Sequence, residues 1–533
     1  MFSNAPARRR HRPHIRLGPI LAVVALLAAA GAAAFLILEN RDDGRRAAAQ
    51  RFVTAWTKGD TTAMWQALDP QAQRAFPQAR FAALVRSGNR AAGVRSVIVA
   101  KKKLPDVQDD HVAVPVIVRT ELFGVLRGTI SLPVRGKDKT AGVAWNPSLR
   151  LPGVRPGEAI RRKEGPPPAR KTIYAADGSA LDADSLGASI AGDPGPPATG
   201  LERIYNDRLG GHPAMRLMFG RRIVRHTKAV AGRSLHTTIE PALQRDAAAA
   251  LGSKLGGVAV VRPRDGAVLA LAGLAVSAPQ PPGSTFKIIT ASGALQAGIA
   301  TPSSTYPVRT YAVLSGTQLR NAGGESCGGT LTNSFVVSCN SVFAPLGAKL
   351  GAKRLVAIAR KFGFDEDLSG RIPAAKTSVI SSHLRDDLAA GAAAIGQDRD
   401  LATPLVMANV GATIANGGRR ARLRIATSDT PHTTRVVSRR VADQVRGMML
   451  EVVRSGTGTA AALPGVNVAG KTGTAELRPN SSDPKDADAW FVAFAPAENP
   501  KVAVAVMLVG AGFGGTAAAP VARSVLQSAL AQP

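Results

Sequence analysis

The stretch Pro281–Gly298, PPGSTFKIITASGALQAG, decides how this chain folds. Two prolines and Gly283 close an irregular segment, and an apolar helix is predicted from about Ser284. Ser284 and Lys287, three residues apart, then share one helical face. A serine hydroxyl is a weak nucleophile until a base takes its proton, and a lysine kept neutral by burial or by a second cation is such a base. The helix start adds main-chain N–H groups and a positive dipole end, both suited to an oxyanion.

Such spacing is cheap by itself. Ser482 and Lys485 repeat it around Asp483 and Pro484, in a polar loop that no apolar helix follows. Further along, Ser338-Cys339-Asn340 precedes the apolar run SVFAPLGAKLG and offers a hydroxyl and an amide to a serine–lysine pair and to a substrate amide. Ser87-Gly88-Asn89 shows that this triplet is common too. Lys471-Thr472-Gly473-Thr474, within VNVAGKTGTAEL, reads as an edge strand. There the lysine is a fixed cation, Thr472 and Thr474 can hold a carboxylate, and Gly473 leaves room for a substrate backbone. The three motifs follow one another at intervals of 54 and 133 residues, and the decoys fit neither the order nor the context.

Outward from this site, residues 233–533 alternate Ala-rich helical stretches with Val-rich strands and end strand, strand, helix, a mixed α/β domain. Residues 151–232 are rich in Pro, Gly and charge and read as an extended linking region. Upstream, helical spacing covers Arg45 to Leu68 and Gln71 to Arg86. Period-two strands follow over Val94–Ala100, His111–Thr120 and Leu126–Val134, with a short closing strand at Ala141–Trp145. Helices before an antiparallel sheet make residues 41–150 a small α+β domain.

Leu17–Leu38 run for 22 residues without a charge, enough for a helix to cross a ~30 Å hydrocarbon layer. Five arginines precede the run and Glu39, Asp42 and Asp43 follow it, so a cytoplasmic tail (1–16), one transmembrane helix (17–38) and an extracytoplasmic remainder are expected. The run exceeds the core of a cleaved signal peptide.

The chain has 533 residues, 68 Lys and Arg against 37 Asp and Glu, and a net charge of +31, which raises nucleic acid, anionic lipid or a polyanionic polymer as a partner. Aromatics are only 4%, and no zinc-finger or helix-turn-helix spacing occurs, so no nucleic acid is expected. The two cysteines and eight histidines form no metal-ligand pattern, so neither metal nor cofactor is expected. The charge itself reads as a solvated Arg-rich surface or as contact with anionic wall polymers or headgroups.

STFK, SCN and KTGT together resemble the motif set of penicillin-binding proteins and serine β-lactamases. HTTIEPALQ from His236, GESCGG from Gly324, AAIGQ from Ala393, ATPLVMANVGATIANGG from Ala402, RSGTGTAAALPGVNVAGKTGTAE from Arg454 and AWFVAFAP from Ala489 are similar to signatures of class B transpeptidases. RTELFGVLRGTISLPV with VAWNPSLRLPGV resembles an NTF2-like, MecA-type N-terminal domain, and GLERIYNDRLGG resembles a dimerisation or pedestal region, here assigned to 151–232. The RGxxxDRxG motif usual in that region is degraded to ARKTIYAADGSAL.

The resemblance implies a monofunctional peptidoglycan D,D-transpeptidase of the bacterial plasma membrane. Ser284 would be its acylated nucleophile and Lys287 the base, while Ser338 and Lys471 relay a proton. Asn340 would hold the stem amide, Thr472 and Thr474 the terminal carboxylate, and the N–H groups of Ser284 and Thr474 the oxyanion. It implies stem peptides on a lipid-linked precursor as substrate, β-lactams as acylating mimics, and other cell-wall synthesis proteins as partners. Carboxypeptidase side activity stays open. The alternatives are a β-lactamase or β-lactam sensor, for which no ExxLN-like segment lies between Asn340 and Lys471, and a catalytically silent scaffold. Cys327 and Cys339 either pair to clamp the SCN loop or remain two buried thiols.

Overall fold

Asp60 sets the pattern of the first unit, because it caps a helix inside the stretch Arg45–Leu68 that apolar spacing alone reads as one. In the computed structural model, which describes residues 44–100, 103–374, 377–397, 399–478 and 483–532, α1 runs over 44–58. Asp60 accepts the N–H groups of Thr62 and Ala63 to start α2 (Thr61–Gln66), and Asp69, with Pro70 at the first helical position, starts α3 (Pro70–Ala75). The expected pair of helices is therefore four, the last being α4 (Gln78–Ala92). A four-stranded antiparallel sheet follows: β1 (Val94–Val99), β2 (His111–Thr120), β3 (Val125–Arg135) and β4 (Gly142–Val143). Val112, Val114, Val116 and Val118 of β2 are buried against the helices, the period-two pattern of a sheet with one covered face.

The 151–232 stretch is divided between two compact units. The first unit takes residues up to 168 together with 212–230, where β5 (Ile160–Glu164), β6 (Met215–Phe219) and β7 (Arg222–His226) form a second antiparallel sheet. Ile160, Leu217 and Phe219 belong to that unit's core. Residues 169–211 belong with 231–533 in the second unit, where Ile173–Tyr174 pairs in parallel with Leu235–His236. The composition that suggested one linking region hides this split, because β5 finds its partner strand about fifty residues later.

The second unit centres on a five-stranded antiparallel sheet. Its strands are β8 (Gly256–Val261), β9 (Val268–Gly273), β10 (Ala469–Glu476), β11 (Ala487–Ala495) and β12 (Val502–Leu508), in the spatial order β9-β8-β12-β11-β10. Both faces are buried in separate cores. On one, Phe491, Ala493 and Ala495 meet α5 (Pro241–Leu251) and α11 (Gly514–Ala531). On the other, Trp490, Val492 and Phe494 meet an all-helical layer with α6 (Lys287–Gln296), α7 (Leu331–Val336), α8 (Asn340–Leu350), α9 (Pro404–Ala415) and α10 (Arg439–Arg454). The site lies where β10, an edge strand, borders that layer. Among the described residues no helix is long and apolar enough to cross a membrane. The 1–16 and 17–38 expectations fall outside them.

Candidate active site

Ser284 sits in a 3-10 turn, Gly283–Phe286, that leads directly into α6, and Lys287 is the first residue of that helix. Lys287 Nζ lies 2.9 Å from Ser284 Oγ. The turn docks on β10 through two glycines. Gly283 has φ +51, and a Cβ there would stand 2.6 Å from the Thr474 carbonyl oxygen. A Cβ on Gly473 would come within 2.9 Å of the Pro282 carbonyl oxygen, the Thr285 methyl and Trp490 Cβ. Gly473 was expected to make room for substrate. In the structure the room it leaves is filled by the serine turn, so it sets the distance between two parts of the protein.

Ser338 adopts φ +63, a left-handed conformation uncommon for a residue with a side chain. That turn aims two oxygens at the lysines: the carbonyl oxygen of Ser338 lies 2.7 Å and its Oγ 3.4 Å from Lys287 Nζ, and Oγ accepts from Lys471 Nζ at 2.8 Å. Asn340, first residue of α8, accepts from Lys287 through Oδ1 at 2.7 Å and donates through Nδ2 to the Arg320 carbonyl at 2.9 Å. Cys339 is bonded to Cys327, with Cα atoms 5.8 Å apart. Asn321 reinforces the turn: its Oδ1 accepts the Ser341 N–H at 2.8 Å, and its Nδ2 donates to the carbonyls of Arg309 and Glu325.

Lys287 and Lys471 have no solvent exposure. Burial, with a second contribution from the charge of Lys471, holds Lys287 well below the usual lysine range, and burial pushes Lys471 down to about 7. Each ammonium also lies over an aromatic face, Lys287 Nζ 5.7 Å from the Phe343 centroid and Lys471 Nζ 5.5 Å from that of Phe335. A serine hydroxyl beside a lysine that readily gives up its proton, with a second hydroxyl between two lysines, can attack an acyl carbon and then hand a proton to the departing group.

The four expected side chains Ser284, Lys287, Ser338 and Lys471 are thus joined by hydrogen bonds, with Asn340 alongside. On β10, Thr472 is buried and Thr474 is half-buried. One participant escaped the sequence reading. Thr457 Oγ1 lies 2.6 Å from Thr472 Oγ1, while its N–H and hydroxyl both reach the Val336 carbonyl at the end of α7. Its segment, RSGTGT, carries no spacing rule that ties position 457 to 472. Gln397 Nε2 also reaches the Thr474 carbonyl at 3.4 Å. Among the described residues no cluster of His, Cys, Asp or Glu could hold a metal ion.

The family profile described as "Penicillin binding protein transpeptidase domain" matches residues 256–527. The peptidoglycan D,D-transpeptidase PbpA of Mycobacterium tuberculosis H37Rv is 33% identical over 400 residues, covering 62% of this chain and 80% of that protein. The peptidoglycan D,D-transpeptidase MrdA of Haemophilus influenzae is 27% identical over 419 residues, 62% of each chain. Among solved structures, the penicillin G acyl-enzyme complex of penicillin-binding protein A from M. tuberculosis aligns with a TM-score of 0.58 and 28% identity, over 68% of this chain and 100% of that one.

Proposed function

This chain belongs to the penicillin-binding protein transpeptidase family, and on that premise we propose how its residues carry the reaction. It is a serine-type peptidoglycan D,D-transpeptidase of class B, and β-lactams acylate it. Ser284 Oγ attacks the carbonyl of the penultimate D-Ala of a stem peptide, and its proton passes to Lys287 Nζ. The resulting oxyanion is held by the main-chain N–H groups of Ser284 and Thr474, a contribution of about 3 kcal/mol per donor. When the C–N bond breaks, the terminal D-Ala leaves as an amine protonated from Lys471 through Ser338 Oγ. An amine of a second stem then attacks the ester: its proton passes through Ser338 Oγ back to Lys471, Lys287 returns its proton to Ser284 Oγ as the ester C–O bond breaks, and the cross-link amide remains.

Thr472 and Thr474 receive the terminal carboxylate. Asn340 has one amide hydrogen beyond the one given to Arg320, and that hydrogen meets the stem carbonyl. The hydrogen-bonded set of Ser284, Lys287, Ser338 and Lys471 carries this reading. Incubating the full chain with a lipid-linked pentapeptide precursor tests it. Release of D-Ala matched by cross-linked dimer supports the assignment, and release of D-Ala without dimer would make the chain a carboxypeptidase.

The remaining assignments rest on sequence. The uncharged run 17–38 anchors the chain in the plasma membrane with residues 1–16 cytoplasmic and the site outside, beside other cell-wall synthesis proteins. Residues 41–150 form an NTF2-like, MecA-type domain, a reading that four helices ahead of a four-stranded antiparallel sheet support. Residues 151–232 form the dimerisation or pedestal region, and 233–533 the transpeptidase domain.

A further inference from the structure

We propose that the outer face of the sheet β5–β6–β7 is a docking platform for a linear phosphate-bearing polyanion. Ile160, Leu217 and Phe219 turn one face of this sheet into the core of the first unit. Side chains alternate along a strand, so Arg161, Lys163, Arg216 and His226 turn to the opposite face. Lys163 stands opposite Arg216, and Arg216 opposite His226, so three basic side chains form one exposed row across all three strands. Lys228 adds exposed charge just beyond the end of β7.

Like charges directly opposite one another destabilise a sheet. Nothing on the sheet offsets them: Glu164 has the parity of the buried face, and Glu158 is engaged by Arg222. Among the described residues no ion pair involves Arg161, Lys163 or Arg216. A ligand with a negative charge at each repeat would relieve the row, and counterions released from such a polymer would drive its binding.

A protein partner fits less well, because stable protein interfaces centre on buried aromatic anchors and this face offers only Ile223 and Met218 as apolar groups. A bilayer fits less well if residues 17–38 span it. Arg45, near the start of the described chain, bonds to Asp110 and Gly136 at one end of the four-stranded sheet. The basic sheet packs through Ile160 on Gly88 of α4, toward the Gly93–Glu121 end. Between these ends lie the ten residues of β2, roughly 33 Å of strand, against a screening length of about 8 Å.

The full chain in neutral-lipid nanodiscs is titrated with poly(glycerol phosphate), and separately with inorganic phosphate, polyglutamate and phosphatidylglycerol vesicles. Lys163→Gln/Arg216→Gln is compared with Arg439→Gln/Arg440→Gln, an exposed pair on α10, and an unchanged circular dichroism spectrum and thermal melt report that each variant is folded. The polymer is expected to bind with a steep salt dependence and to lose about tenfold or more in affinity in the first variant only. Equal weakening in both variants would reduce the effect to net charge. Equal or tighter binding of polyglutamate or vesicles, or no polymer binding, would leave the cations as protection against edge-to-edge pairing and overturn the proposal.

Discussion

Lys287 donates to the Ser284 hydroxyl at 2.9 Å from a position with no solvent exposure, so the nucleophile is paired with a base before any substrate arrives. Replacing that base with Lys287→Ala should slow acylation by penicillin about 10²- to 10⁴-fold, the range typical of a general base. Lys287→Arg should not restore it, because a guanidinium stays protonated. The second-order acylation constant of each variant is the measurement.

The depressed lysines predict a pH profile. Lys471 titrates at about 7 and Lys287 well below 10.5, in both cases first because burial penalises the charged amine. Acylation should therefore rise as the base Lys287 loses its proton, well below the ordinary lysine value, and fall above about 7 as Lys471, the donor to the departing group, loses its own. A lysine whose pKa is lower in the folded chain binds fewer protons there than when unfolded, so these groups also make the fold more stable as pH climbs from about 7 toward 10.5. Rates that stay flat through neutrality and rise only near 10 would contradict this.

Thr457 fixes the Thr472 hydroxyl, the group assigned to the substrate carboxylate. Loss of one such hydrogen bond costs about 1 kcal/mol. Thr457→Ala should thus weaken penicillin acylation about fivefold through the binding step, with Thr457→Ser restoring it and Thr457→Val failing to. A uniform fall in melting temperature without this pattern would make Thr457 merely structural.

The Cys327–Cys339 bond joins residues twelve apart, and Cys339 lies between Ser338 and Asn340. A loop of this length is worth about 3 kcal/mol in the chain-entropy account. Cys327→Ser/Cys339→Ser should lower the melting temperature and slow acylation, because Ser338 loses a tether holding its left-handed turn. Thiol counting in denaturant should find none before reduction, whereas two would place buried thiols there.

The serine–lysine chemistry was legible because spacing over three residues survives any packing: Ser284 and Lys287 share a face on any helical turn. The α/β sheet was legible through runs such as Val502–Leu508. What could not be read depends on distant segments meeting. Gly473 looks like a place for substrate until Pro282 and Thr285 fill it, and Asn340 looks free until Arg320 arrives from a hairpin twenty residues earlier. The spacing reads one helix across Asp60 and one across Phe76–Pro77, because apolar residues recur at helical intervals on both sides of each break.

The central claim is a Ser284 acyl-enzyme, and intact-mass analysis of the full chain with penicillin G, beside Ser284→Ala, tests it most directly. One adduct per chain, stable for many minutes and absent from the variant, is the predicted result. Rapid loss of the adduct with hydrolysed penicillin accumulating, or an adduct that persists in Ser284→Ala, would contradict it.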